Sequence, residues 1–351
     1  MNSGDTLAGQ PGKRAAKGED KMRRRDVLCG AGSLLGTLAI GRAALAQAKT
    51  VFKASDVHPP GYPTVVAVEN LGKKLEQATN GRLSVQMYAS MQLGGEKEAI
   101  EQAQVGAIQL GRVSVGAIGP VVDDLNVFNL PFLFRNTAHM QKVIDGPIGQ
   151  ELLDKVTANE KAGLVGLCWM DAGARSFYDT KHAINTIADL KGLKVRVIGN
   201  PMFVDMANAL GANGVAMGYD QVFSALQTGV IDGAENNPPS FVFDNHYTVA
   251  KFYTLTEHLI VPEILVFSRK AWDALGKEDQ ERLRVAAREA QAEERVLWAA
   301  YEKQAMDKAR ASGVQIVEQI DKQPFQDAVK PVWDKYGPRF AEQVKRIQAV
   351  S

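Results

Sequence analysis

The chain has 351 residues, 45% hydrophobic and 23% charged, with 41 Lys/Arg against 40 Asp/Glu. That length suits two domains, and the composition is that of a soluble globular protein. Residues 1–46 carry eight Lys/Arg and four Asp/Glu, which leaves 33 Lys/Arg and 36 Asp/Glu beyond them, a formal charge of about −3. A mildly acidic chain without a basic stripe has no electrostatic footprint for nucleic acid.

Of the two cysteines, Cys29 lies in the N-terminal segment, so only Cys168 remains after residue 46. One thiol makes no internal disulfide and no cysteine-rich zinc cluster. Cys168 sits in the apolar run Leu164-Val165-Gly166-Leu167-Cys168-Trp169, which predicts a buried core thiol.

Met22-Arg23-Arg24-Arg25 leads into a small apolar stretch over 28–40, followed by Ala44-Leu45-Ala46. A basic head, an apolar run of about a dozen residues and a small-residue site form a secretory signal, cut after Ala46. The run is short for a membrane span, which needs ~20 residues. Arg24-Arg25 resembles a twin-arginine export signal, with a basic general-secretion signal as the alternative. Export to the periplasm is the expectation.

Beyond residue 46 the elements alternate. Residues 51–55 read as a strand, and a helix starts at Pro63 and stops at Asn80-Gly81. Residues 83–88 alternate apolar and polar as a strand does, 96–104 form a helix stopped by Gly106, and 108–110 form the next strand. Strands follow at 164–170, 194–198 and 230–234. Asn200 caps a helix that opens with Pro201, and Asp220 is expected to cap a helix over 221–228. This rhythm predicts an α/β fold with mostly parallel sheets. Residues 277–311 hold almost no helix breaker. They predict a helix of about 50 Å, too long for one compact lobe and suited to tying two lobes together.

Enzyme signatures are missing: no G-x-S-x-G, P-loop, H-E-x-x-H or strand-linked G-x-G-x-x-G occurs, and the five histidines (His58, His139, His182, His246 and His258) show no metal-pair spacing. Polar residues instead collect at predicted strand ends, where open α/β sheets bind ligands. Arg175 follows the strand 164–170, Arg112 follows 108–110, and Glu235 and Asn236 close 230–234. Arg196 lies inside the apolar strand Val195-Arg196-Val197. A buried guanidinium needs a partner, and its planar fork fits a carboxylate. That partner is either an internal Asp or Glu or a bound acid.

Three segments taken in order carry a resemblance: Gly173-Ala174-Arg175-Ser176; Leu190-Lys191-Gly192-Leu193-Lys194-Val195-Arg196-Val197; and Ala225-Leu226-Gln227-Thr228-Gly229-Val230-Ile231-Asp232-Gly233-Ala234-Glu235-Asn236-Asn237. With Gln92-Leu93-Gly94-Gly95-Glu96 and Leu130-Pro131-Phe132-Leu133-Phe134, they resemble the substrate-binding subunits of TRAP (tripartite ATP-independent periplasmic) transporters over essentially the whole chain beyond residue 46. The resemblance implies a two-lobed periplasmic solute-binding protein of the Venus-flytrap, type II-like kind with a long lobe-spanning helix. One lobe would hold 47–173 plus 262–301, the other 174–261 plus 302–351. It also implies a monomer that hands its ligand to membrane subunits and uses no cofactor or metal. Arg196 would pair with the ligand carboxylate, helped by Arg175 and Asn236, with Tyr219 lining the cleft.

The segments Ser55-Asp56-Val57-His58-Pro59, Tyr62-Pro63-Thr64-Val65, 134–140 and 252–258 look like the subgroup that binds hexuronates. Where sialic acid receptors of this family carry an acidic residue, this chain has Ser114 beside Arg112. Arg112, His58, Glu96 and Asp171 are expected to serve the ring hydroxyls. A C4-dicarboxylate stays open as the ligand, with Arg112 as its second cationic end, as do a periplasmic sugar-acid enzyme and a sensor subunit.

Overall fold

A computed structural model describes residues 49–351; the predicted signal segment, Cys29 and the cleavage position lie outside the described residues. Among the described residues, eleven strands form two mixed sheets. The first contains β1 (Thr50–Ser55), β2 (Leu83–Tyr88), β3 (Leu110–Ser114), β4 (Leu164–Met170) and β10 (Glu263–Ser268), ordered β2-β1-β3-β10-β4. The second contains β5 (Arg175–Asp179), β6 (Lys194–Val197), β7 (Asn213–Ala216), β8 (Gly233–Asn236), β9 (Phe252–Leu259) and β11 (Gln315–Val317), ordered β11-β9-β5-β8-β6-β7.

The sheets are less parallel than the sequence rhythm suggests. β10 runs antiparallel to both β3 and β4, and β5 antiparallel to both β8 and β9. These are the two strands that receive the chain as it crosses, from β4 into β5 through residues 171–174 and from β9 into β10 through residues 260–262. The parallel strands end at the seam between the sheets, so a strand entering through that seam must run away from it. Arg175 and Glu263 are thus the first residues of strands that begin at the cleft, beside Ser114 and Asn236, which end strands there.

Element ends follow local chemistry. Gly106 and Gly229 take left-handed conformations (φ 81° and 74°) that stop the helices Glu96–Val105 and Val222–Thr228. Asn200 caps Pro201–Ala209 by accepting from the Met202 N–H at 2.9 Å. Three expectations shift. β3 begins at Leu110 because the Ile108 N–H still bonds back to Gln102 at the helix end. β8 begins at Gly233, because Val230 is exposed and the Ile231 N–H bonds back to Ala225. Asp220 lies inside a 3-10 turn, Tyr219–Gln221, and its side chain does not cap the helix that follows.

The helix Lys277–Ala311 has 35 residues. Leu283, Ala286, Ala287 and Ala290 pack into the core under the first sheet, Trp298 joins Tyr62 and Val65 at the middle, and Ala305 and Ala309 enter the core of the second sheet. One rigid rod therefore shares its apolar stripe between both lobes. Cys168 lies in the first core, where burial pushes its thiol well up. Residues 302–351 supply β11 to the second sheet and then run across both. Tyr336 donates to Asp205 at 2.6 Å, while the His139 imidazole lies 2.9 Å from the Ile347 carbonyl. No helix among the described residues is long and apolar enough to cross a membrane.

Candidate ligand cleft

Between the walls lies an outer cleft of about 670 Å³, lined in part by Gly95, Glu96, Pro120, Arg196, Ile198 and Tyr219. It shares Glu96, Arg196, Ile198 and Tyr219 with an inner chamber of about 20 Å³, room for roughly one water molecule. Val57, His58, Arg112, Ser114, Arg175, Asn236, Asn237, Ser240 and Glu263 complete the chamber. Eight of the nine expected site residues thus line one space.

The ninth does not. Asp171 is buried in the first crossing segment, where its carboxylate accepts from Gln141 and lies 3.5 Å from Arg295 Nε, while its N–H donates to Glu294 at 2.8 Å. Its role as a hydroxyl partner is withdrawn. Its position after β4 looked like a cleft position, but the side chain turns back under the long helix.

The three arginines differ in what surrounds them. Arg175 donates to Glu235 through Nε at 2.6 Å and Nη2 at 2.9 Å, to the Glu235 carbonyl at 2.8 Å, and to Asn236 Oδ1 at 2.7 Å. Burial would raise the Glu235 carboxyl, but Arg175, with His258 beside it, outweighs it and holds the group down at about 2. Arg175 is thereby neutralised, with one Nη1 hydrogen to spare. Asn236 Oδ1 is occupied by Arg175 and by the Asn237 N–H at 2.9 Å, which leaves its amide hydrogens to donate.

Arg112 is paired still more heavily. Its Nε donates to Asp56 at 3.0 Å, its Nη2 to the other Asp56 oxygen, and its Nη1 to Glu263 at 2.6 Å and Glu96 at 3.4 Å. Burial alone would depress the guanidinium; the carboxylates raise it well above its usual value. The expectation that Arg112 offers a free cationic end is corrected, because distant carboxylates have claimed it.

Arg196 stands apart. It is 3% exposed, and its Nε and Nη2 both donate to the Met217 carbonyl, at 3.0 and 2.8 Å. Among the described residues no carboxylate lies in ion-pair contact with it. Burial lowers its pKa with no paired acid to restore it. The Tyr219 ring lies 5.6 Å from the guanidinium carbon, a cation–π distance.

The walls also touch. His58 Nδ1 lies 3.2 Å from Asp244 Oδ2, which also accepts from Tyr219 at 2.6 Å. Tyr62 stacks on His58 at 3.8 Å, and its hydroxyl meets Ser240 at 3.1 Å. Asn200 Nδ2 donates to the Gly116 carbonyl at 3.0 Å and to Asn126 Oδ1 at 2.9 Å. Asp56, Asp244, Glu263 and Ser240 belong to this constellation and were not singled out from sequence. The only local signal was their place at strand or helix ends.

Residues 54–339 match the sequence profile of the DctP family, bacterial extracellular solute-binding protein, family 7. The chain belongs to this family. A TRAP periplasmic solute-binding protein from Pseudomonas putida F1, solved with bound D-glucuronate, is 55% identical, with a TM-score of 0.84 over 86% of this chain and 98% of that one. A Xanthobacter autotrophicus Py2 receptor with bound β-D-galacturonate is 42% identical, with a TM-score of 0.82 over 86% and 100%. An apo, open Citrobacter koseri receptor is 46% identical, yet its TM-score is 0.75 over 85% and 99%. Divergence does not explain the lower score, since the less identical Xanthobacter receptor superposes better. This DctP-family protein has the TRAP solute-binding fold and superposes better on the two liganded receptors than on the open, apo one.

Proposed function

We propose that this protein captures a hexuronate, D-glucuronate or D-galacturonate, in the periplasm and delivers it to TRAP membrane subunits. The observation that carries the ligand class is Arg196, a buried guanidinium in the cleft wall without a carboxylate partner among the described residues. An unpaired buried charge is costly to keep, and a bound carboxylate removes the cost. The Arg196 fork takes the C6 carboxylate, the spare N–H of Arg175 and the Asn236 amide add donors, and the remaining polar side chains of the chamber serve the hydroxyls. The relatives solved with glucuronate and galacturonate support the same ligand class.

A hexuronate needs more than a chamber of about 20 Å³, since small-ligand pockets run to ~300–1,000 Å³. Entry therefore requires the lobes to part about the two crossing segments, and closure sequesters the ligand. The protein acts as a monomer and leaves its ligand chemically unchanged. Residues 1–46 direct export and are removed near Ala46. Titration calorimetry with both uronates, succinate and pyruvate tests the reading. Heat of binding from the uronates, abolished in Arg196→Ala, is expected; binding confined to succinate or pyruvate refutes it.

A further inference from the structure

We propose that Glu96 and Glu263, gathered around Arg112, form a charge filter that admits a sugar acid bearing one carboxylate and rejects the same skeleton bearing two. The inference rests on the hexuronate reading above and specifies which oxidation state of the sugar the cleft accepts.

Arg112 needs only one carboxylate for neutrality, and Asp56 supplies it through both oxygens. Asp56 is saturated: it also accepts from the His58 N–H at 2.9 Å and the Thr64 hydroxyl at 2.7 Å. Glu96 and Glu263 are therefore surplus acids, and burial, with Glu96 beside it, pushes the Glu263 carboxyl up against the pull of Arg112. Glu263 spends one oxygen on Arg112. Glu96 spends one on Arg112 and on the Ser114 N–H, the latter at 2.7 Å. Each keeps a second oxygen without a partner among the described residues, and both side chains line the inner chamber. Across the chamber, on the other lobe, stands the unpaired Arg196. The space is thus polarised, acidic on the wall of β3 and β10 and cationic on the wall of β6.

A hexuronate matches that polarity. With its carboxylate on Arg196, the pyranose ring presents its hydroxyls to the chamber, the hemiacetal C1 hydroxyl beside the ring oxygen among them, each a hydrogen-bond donor that a carboxylate oxygen accepts. The corresponding aldarate, an open chain because it has no aldehyde to close the ring, has C1 oxidised to a second carboxylate, which offers acceptors only and adds a like charge in a space shielded from water. A C4-dicarboxylate meets the same obstacle. Arg175 gives no relief, because Glu235 already neutralises it.

The test is titration calorimetry of the wild-type receptor, Glu263→Gln and Glu96→Gln with two pairs: D-galacturonate against galactarate, and D-glucuronate against D-glucarate. Both substitutions keep the side-chain shape and an acceptor oxygen while removing charge. The wild type is expected to prefer each uronate by at least about 100-fold, and each variant to narrow the preference about tenfold or more by tightening the aldarate. Thermal melts verify folding. Should Glu263→Gln not fold, Glu96→Gln decides, since Glu96 lies in the first turn of its helix and keeps the Ser114 bond as an amide. Equal wild-type affinity within a pair, or folded variants with the preference unchanged, overturns the filter and leaves the uronate receptor standing. Absence of hexuronate binding by the wild type overturns both.

Discussion

His58 and Asp244 form a 3.2 Å contact that joins the two lobes directly. Tyr219 bonds the same Asp244 oxygen, and Tyr62 both stacks on His58 and reaches Ser240, so the contact is one edge of a polar and aromatic clasp. A hydrogen bond to a charged group contributes ~1.5–3 kcal/mol. Asp244→Asn is therefore expected to weaken uronate affinity about tenfold, chiefly through faster release. Stopped-flow release rates check this; a rate equal to the wild type's would separate the clasp from closure.

Arg175 and Arg196 predict opposite phenotypes. Arg175→Ala strands Glu235, which is fully buried, and breaking such a pair costs roughly 3–5 kcal/mol of stability. Arg196→Met strands no carboxylate and removes a cation that burial already disfavours. It should abolish uronate binding while leaving the ligand-free melting temperature unchanged or higher. Thermal melts of the two variants without ligand decide, and a large loss in Arg196→Met would contradict the assignment.

Gly116 permits closure by having no side chain. A Cβ there would lie 2.7 Å from the Phe203 ring and 3.0 Å from Ile198, both on the opposite wall. Gly116→Val is expected to keep each lobe folded, hold the lobes apart and reduce affinity by at least about tenfold. Small-angle scattering with saturating ligand measures this directly. Contraction equal to the wild type's would show that the contact is dispensable.

Acid stability is set by buried groups near the cleft. Burial, with Arg196 and His58 nearby, lowers His246 to about 4 against the pull of Asp244. Its folded value lies below its unfolded value near 6.5, so the unfolded chain takes up a proton first as pH falls. Stability is complete above about 6.5 and declines towards 4, by roughly 3 kcal/mol from this group. Glu235, held at about 2, adds a second decline below about 4.5. Denaturant melts from pH 7 to 4 should show a shallower loss in His246→Asn than in the wild type; parallel slopes would refute the assignment.

Much of the architecture was legible from local patterns. The helix over 277–311 is marked by its lack of breakers, and the stops at Gly81, Gly106 and Gly229 come from residues that tolerate positive φ. The Asn200 cap before Pro201 is equally local. β5 and β10 were not among the strands read from sequence, and their antiparallel pairing departs from the mostly parallel sheets expected, because strand direction depends on which side of the sheet the chain enters from and period-2 patterning carries no direction. Asp171 was misplaced for a related reason: its distance from a strand end was readable, but the turn of its side chain was not.

The arginines mark the same boundary most sharply. Arg112 and Arg175 read as cations that follow apolar strands and Arg196 as one inside such a strand, and five segments taken in order placed the chain among TRAP receptors. Which arginine stays free depends on carboxylates distant along the chain: Asp56 and Glu263 come to Arg112 from 56 and 151 residues away, and Glu235 to Arg175 from 60. Ion pairing acts over a few ångströms of space, so it is set only when the sheets assemble. Assembly leaves Arg196 unpaired opposite an acidic wall.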